Sequence, residues 1–175
     1  MTRLTLRAAA LFAGVVAAAA GCADGARTPT AAKSAAEFHL LRRPPGTFGP
    51  SLSRSGGASV TATVGPEGGS LALDDGSRID FPAGALAKPT KIEMSPSDEY
   101  AGVELEPHGI RFPFGREPVL TLAYPQEQGS LFSHLAIVYV SDGGFILEVL
   151  PTLPTADGHM SARLRHFSLY AGAGN

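Results

Sequence analysis

The sequence contains one cysteine, Cys22, and no tryptophan. A single cysteine cannot form an intramolecular disulfide, so a hydrophobic core must stabilise the fold. Charged residues make up only 17% of the chain, whereas 21 glycines and 14 prolines interrupt it, and no helical period is sustained over a long window. Beyond residue 21, no apolar run is long and charge-free enough to predict a membrane-spanning helix.

The N-terminus has the pattern of a secretory signal. Arg3 and Arg7 precede an uncharged apolar run over residues 8–20, which predicts a signal peptide over residues 1–21. Residues 19–22, Ala-Ala-Gly-Cys, resemble the lipobox of bacterial lipoproteins. The resemblance implies cleavage before Cys22 and lipid attachment to its sulfur. We therefore expect a membrane-anchored protein of the cell envelope, or a secreted protein if Cys22 is not lipidated.

Residues 22–57 are rich in Ala, Pro, Gly, Ser and Thr and predict a flexible tether. One island within it, residues 37–43, predicts a transient helix in this linker; a stable short helix and a docking segment are the alternatives. Residues 23–57 carry five basic and two acidic residues (net +3), and residues 58–175 carry seven basic and fourteen acidic residues (net −7). A domain of this charge argues against nucleic-acid binding.

From residue 58 onwards, short strand-like runs are separated by Gly, Pro and Asp. Val60–Val64 and Lys91–Met94 alternate apolar with polar residues, and Val119–Tyr124 is more continuously apolar, which predicts a central strand. Runs of about four to seven residues with intervening turn signals predict an all-β fold, an antiparallel β-sandwich over residues 58–175. The alternation also places Glu104 and Glu106 on an outer face.

Three stretches in order carry a family resemblance: Val64–Leu71 (VGPEGGSL), Ile79–Leu86 (IDFPAGAL) and His108–Phe112 (HGIRF) with the following Pro118–Leu122 (PVLTL). Together they resemble the ZU-five domain, a β-sandwich module of zonula occludens proteins, netrin receptors, ankyrins and many bacterial envelope proteins. The resemblance covers about Ser59 to Tyr170 and implies the same fold. Proline and glycine in these motifs predict fold architecture, since Pro82 ends a strand and Gly84 permits a reversal.

The tripeptide His166-Phe167-Ser168 is the candidate for chemistry. Some relatives in death-domain signalling proteins end the module with the same tripeptide, which marks a self-cleavage site there. The resemblance implies attack of the Ser168 hydroxyl on the Phe167 carbonyl, with His166 as base. The apolar face also switches near residues 165–166, which predicts a bulge or kink. The alternative is that His166 and Ser168 simply lie on one face of a strand.

The remaining polar residues predict no further site. The histidines lack H-x-x-x-H or H-E-x-x-H spacing, so we expect no metal and no cofactor. We expect a lipid-anchored, non-catalytic interaction or structural module with an envelope protein as its partner. The first alternative is self-cleavage at Phe167–Ser168. A cell-wall or glycan hydrolase is a remote second alternative, because no local motif supports it.

Overall fold

Short strands with alternating buried residues build this protein. The computed structural model describes residues 38–44, 58–155 and 157–175, which belong to one compact unit. Besides a four-residue helix, α1 (Gln126–Gly129), these residues contain twelve strands. They are β1 (His39–Leu40), β2 (Val60–Val64), β3 (Gly69–Ala72), β4 (Arg78–Phe81), β5 (Thr90–Pro96), β6 (Gly102–Glu106), β7 (Val119–Ala123), β8 (Leu135–Val140), β9 (Ile146–Val149), β10 (Thr152–Pro154), β11 (His159–Arg163) and β12 (Leu169–Gly174).

The strands form two antiparallel sheets. The first sheet has the order β2-β5-β6-β12-β8-β9, and β1 also pairs with β12. The second sheet has the order β10-β11-β7-β4-β3. The predicted all-β class with antiparallel sheets in a sandwich-like arrangement is confirmed.

The hydrophobic core lies between the inner faces of the two sheets. In β5 of the first sheet, Ile92 and Met94 are fully buried, and the polar residues that alternate with them are more exposed. In β7 of the second sheet, Leu120 and Leu122 are fully buried in the same core. Since β7 is the middle strand of its sheet, the prediction of a central strand over these residues is confirmed.

The glycine- and proline-rich motifs meet at one corner of the second sheet. Gly69 at the start of β3 pairs with Phe81 at the end of β4. Beyond this strand, Gly84 adopts a positive φ of 81° and donates its N–H to the Pro66 carbonyl at 2.7 Å. Only glycine adopts this backbone conformation without strain. These residues therefore shape the corner, as the sequence predicted.

The segment before the sandwich differs from the sequence prediction. The expected short helix at residues 37–43 is wrong: β1 pairs His39 with Gly174 and Leu40 with Ala173 of β12. The next residue, Leu41, is 1% exposed and packs in the main core. Residues 38–44 therefore belong to the folded unit, although the sequence predicted them to be part of the tether. The composition of the surrounding stretch did not indicate β1, because this strand forms only by pairing with β12, which is remote in the sequence.

Candidate functional site

The tripeptide at residues 166–168 lies where the chain crosses from one sheet to the other. The strand before it, β11, belongs to the second sheet, and the strand after it, β12, belongs to the first. Leu164 and Phe167 are both buried in the core on either side of this crossover. The sequence predicted a bulge or kink near residues 165–166; the structure has a crossover between the two sheets there, which accounts for the change of apolar face.

Backbone hydrogen bonds fix the crossover against the segment that follows β6. Phe167 donates its N–H to the Ile110 carbonyl at 3.0 Å, and Arg165 accepts a hydrogen bond from the Phe112 N–H at 3.1 Å. On the other side, the Leu105 N–H donates to the Ser168 carbonyl at 3.1 Å. The tripeptide is thus paired on both sides of the bond between Phe167 and Ser168.

The phenyl ring of Phe167 anchors the tripeptide in the core. This residue is 2% exposed. Its ring centroid lies 5.1 Å from that of Phe112 and 5.9 Å from that of Phe81, in both cases edge to face. Such ring pairs add stabilisation to the burial of apolar surface.

His166 is held by Tyr170 and Tyr139. The Tyr170 hydroxyl donates to the backbone carbonyl of His166 at 2.7 Å, and the Nδ1 atom of His166 lies 3.2 Å from the same hydroxyl oxygen. The ring of His166 also packs edge-on against Tyr139, with a centroid distance of 4.9 Å. A tyrosine that bonds back to the backbone four residues upstream resembles the tyrosine corner of β-sandwiches. Burial, with the nearby Glu148, raises the pKa of Tyr170 above its usual value.

The carbonyl of Phe167 accepts two weak interactions at a cleft. The Gly109 N–H and the Nδ1 atom of His166 each lie 3.5 Å from its oxygen. The cleft has a volume of about 460 Å³, and Ser168 is half-buried in its wall. Its lining comprises His108, Gly109, Arg111, Tyr139, Val140, Ser141, Asp142, His166, Phe167 and Ser168.

The His166 imidazole was expected to contact the Ser168 hydroxyl, but it lies beside the Phe167 carbonyl. The Tyr170 hydroxyl donates its proton to the His166 carbonyl, so only its oxygen remains to interact with the His166 Nδ1 atom. That oxygen is an acceptor, and the interaction is therefore favourable when Nδ1 carries a proton. Such an Nδ1–H is a donor facing the Phe167 carbonyl oxygen. Within the described part of the chain, no hydrogen bond joins the Ser168 hydroxyl to His166. The structure therefore brings His166 to the carbonyl but not to the predicted nucleophile.

A second feature, which sequence reasoning missed, is a groove of about 860 Å³ on the second sheet. We call it the Phe114 groove. Phe114 and Leu153, which are 97% and 73% exposed, contribute apolar surface, and the side chains of Arg163 and Arg165 line it as well. It forms where β10 and β11 meet the loop before β7, and the unpredicted strand β10 supplies one wall. No local sequence signal indicated it, because the lining comes from separate segments.

Glu117 lies in the wall of the Phe114 groove. Only 9% of this residue is exposed. Within the described residues, its carboxylate makes no hydrogen bond and no ion pair. Its carboxylate oxygens can therefore accept hydrogen bonds from a partner that enters the groove. The groove therefore offers apolar surface, two guanidinium groups and one carboxylate to a binding partner.

Cys22, the predicted signal peptide and most of the predicted tether lie outside the described residues. In the part of the chain that is described, no helix has both the length and the apolar character needed to cross a bilayer. Comparison of the sequence with family models and with curated proteins finds no match.

Proposed function

We propose that this chain is a lipid-anchored protein of the cell envelope whose β-sandwich is a non-catalytic interaction module. The anchor part rests on the lipobox-like residues 19–22 after an apolar leader. The interaction part rests on one observation, the Phe114 groove. We expect the partner to be another protein of the envelope.

The chemistry of the Phe114 groove supports protein binding. Large apolar side chains that share an exposed groove are a common mark of interaction sites. Arginine is enriched in protein interfaces, and Arg163 and Arg165 suit an acidic side chain of the partner. The carboxylate of Glu117 can accept a hydrogen bond from a donor such as a backbone N–H. A polypeptide segment with an acidic residue provides all three kinds of group at once.

Site-specific photocrosslinking in the host envelope tests this proposal. A photoreactive residue replaces Leu153 in the groove or, as a matched control, Leu131, an exposed leucine outside the groove. We expect a discrete adduct with one envelope protein from position 153, and loss of that adduct when Arg163 and Arg165 are both changed to Ser. Equal adducts from both positions, or none from position 153, would contradict an interaction at this groove.

The anchor is tested separately by intact mass spectrometry of the protein from the membrane fraction of its own host. We expect a chain that starts at Cys22 and carries the mass of acyl groups. A Cys22→Ser variant should move to the soluble fraction without a change in the folded unit. A chain that starts at Cys22 or elsewhere without acyl mass would mean that the protein is secreted rather than lipid-anchored. The crosslinking test of the Phe114 groove does not depend on this result.

Self-cleavage is the second candidate, and one observation favours it. The Phe167 carbonyl at the cleft faces two donors, Gly109 N–H and His166 Nδ1, where an oxyanion would develop. The Ser168 hydroxyl oxygen would attack the Phe167 carbonyl carbon. The bond between that carbon and the Ser168 nitrogen would break, and the nitrogen would take up the proton that the hydroxyl loses. Water would then hydrolyse the resulting ester to a Phe167 carboxylate and the Ser168 hydroxyl.

A denaturing mass measurement distinguishes this candidate. Cleavage predicts a chain that ends at Phe167 and a peptide spanning residues 168–175, still paired through β12 in the native protein. Ser168→Ala should abolish both fragments, whereas Ser161→Ala should have no effect. An intact wild-type chain after prolonged incubation would exclude self-cleavage and leave the interaction proposal untouched.

A further inference from the structure

Three metal-ligating side chains converge on the outer face of the first sheet. Glu104 and Glu106 belong to β6, and His108 follows two residues later. Alternate residues of a strand project to the same face, so Glu104 and Glu106 lie side by side, and the segment after β6 brings His108 next to them. Their ligand atoms all lie within 4.8 Å of one another. The Nε2 atom of His108 lies 3.3 Å from a carboxylate oxygen of Glu104.

The register of the sheet adds a third carboxylate. Glu93 of β5 is the direct cross-strand partner of Glu106, so both side chains project from the same face. Like charges directly opposite each other destabilise a sheet. Among the described residues, none of these glutamates forms an ion pair with lysine or arginine. The charge of the cluster therefore favours a bound cation.

The donor set and its spacing select the kind of cation. An imidazole nitrogen with carboxylate oxygens suits zinc, whereas calcium and magnesium prefer oxygen ligands alone. Bond lengths of about 2.0–2.1 Å in a tetrahedral zinc site separate neighbouring ligand atoms by roughly 3.3–3.4 Å. The distance of 3.3 Å between His108 Nε2 and a Glu104 oxygen suits two neighbouring zinc ligands as well as a direct ion pair, and a ligand atom of Glu106 lies within 4.8 Å of both.

We propose that Glu104, Glu106 and His108 form a zinc site with three protein ligands and a fourth position for water. The metal would join the end of β6 to the segment that follows it. That segment includes Gly109, whose N–H faces the carbonyl of Phe167, and His108 itself lines the cleft beside the tripeptide. Zinc would therefore fix the loop that pairs with the sheet crossover. The proposal is independent of the interaction function and of self-cleavage.

Isothermal titration of the metal-free full-length chain with zinc chloride tests the proposal. A Cys22→Ser background removes the one thiol, which otherwise binds zinc by itself. We expect one zinc ion per chain and a higher melting temperature in its presence. Glu106→Gln and His108→Gln should each weaken zinc binding by at least about tenfold. The matched controls Glu127→Gln and His134→Gln change exposed residues elsewhere and should leave the affinity within about twofold of the parent.

Two further measurements keep the proposal falsifiable. Cobalt in place of zinc should give the visible absorption of a four-coordinate site, and the His108→Gln variant should lose it. Magnesium and calcium should show no saturable binding under the same conditions. Circular dichroism verifies that each variant is folded. If Glu106→Gln does not fold, Glu104→Gln serves as the carboxylate variant in its place. The proposal is overturned if zinc binding does not saturate, if the ligand variants bind like the controls, or if magnesium binds equally well.

Discussion

Two short segments lie at opposite ends of β12, and the contacts that hold each of them are not visible in the sequence. The segment 38–44 resembles part of a loose tether, yet its strand β1 pairs with the end of β12. The tripeptide 166–168 resembles a reactive site, yet it is packed and hydrogen-bonded just before β12 begins. In each case one large apolar side chain, Leu41 or Phe167, is inserted into the core. Burial of that side chain, rather than the polar neighbours, determines the local structure.

The two anchors differ in how they are supported. Phe167 has ring partners on two sides and backbone bonds to the segment after β6. Leu41 is supported by its main chain: its N–H donates to Gly172 at 2.8 Å and its carbonyl accepts from Ala101 at 2.9 Å. The comparison teaches that a segment outside the predicted domain is held as firmly as a motif inside it. Substitutions at both ends of β12 test this conclusion.

The largest effect is expected for Phe167→Ala. Loss of a fully buried ring removes its transfer free energy and leaves a cavity between two other rings, so the free energy of unfolding should fall by about 4 kcal/mol. Urea denaturation measures it. Phe114→Ala, at the almost fully exposed Phe114, is the control and should change stability by less than about 0.5 kcal/mol. Equal losses in the two variants would contradict the anchoring role of Phe167.

Leu41→Ala is expected to cost somewhat less, about 3 kcal/mol, because a smaller side chain leaves a smaller cavity. The exposed leucine variant Leu131→Ala is the matched control and should be nearly neutral. Amide hydrogen exchange should become faster in the Leu41 variant at residue 41, whose N–H donates to the Gly172 carbonyl, and at Ala101, whose N–H donates to the Leu41 carbonyl. A neutral Leu41→Ala would mean that residues 38–44 behave as the loose tether that the composition suggests.

Tyr170→Phe should have a smaller effect of about 1 kcal/mol, since it removes the hydrogen bond to the carbonyl of His166. The raised pKa of Tyr170 means that the folded state retains a proton that the unfolded chain loses above about pH 10. Its contribution to stability is therefore complete below that pH and declines as the pH rises further. The difference between wild type and variant should narrow accordingly in pH-dependent denaturation. A difference that stays constant from pH 7 to 11 would argue against this linkage.

The sequence predicted most strands of the sandwich because their signals are local. Alternation in β5 and the continuous apolar run of β7 follow from burial of one or both faces, which the residue pattern records directly. The turn with Gly76 at positive φ, between β3 and β4, is equally local. The change of apolar face near residue 165 predicted a bulge or kink, and the chain crosses between the two sheets at that point.

Long-range pairing explains what the sequence did not predict. Nothing in residues 38–44 indicates that Leu40 lies opposite Ala173, more than a hundred positions away. The position of His166 Nδ1 depends in the same way on the Tyr170 hydroxyl, and the Phe114 groove requires β10 and β11 to meet a distant loop. The motif drew attention to the tripeptide, but the partner of each of its side chains came only from the fold.

The smallest effect is expected at the ion pair between Arg42 and Glu99. Both side chains are more than half exposed, so solvent screens the attraction and Glu99→Gln should change the free energy of unfolding by less than about 0.5 kcal/mol. The backbone of Arg42 is held independently, because Gln128 accepts its N–H and donates to its carbonyl. The small difference should vanish at about 1 M salt, where charges are screened over a few ångströms. A loss above about 2 kcal/mol would mean that charge, rather than Leu41, holds β1 against the sandwich.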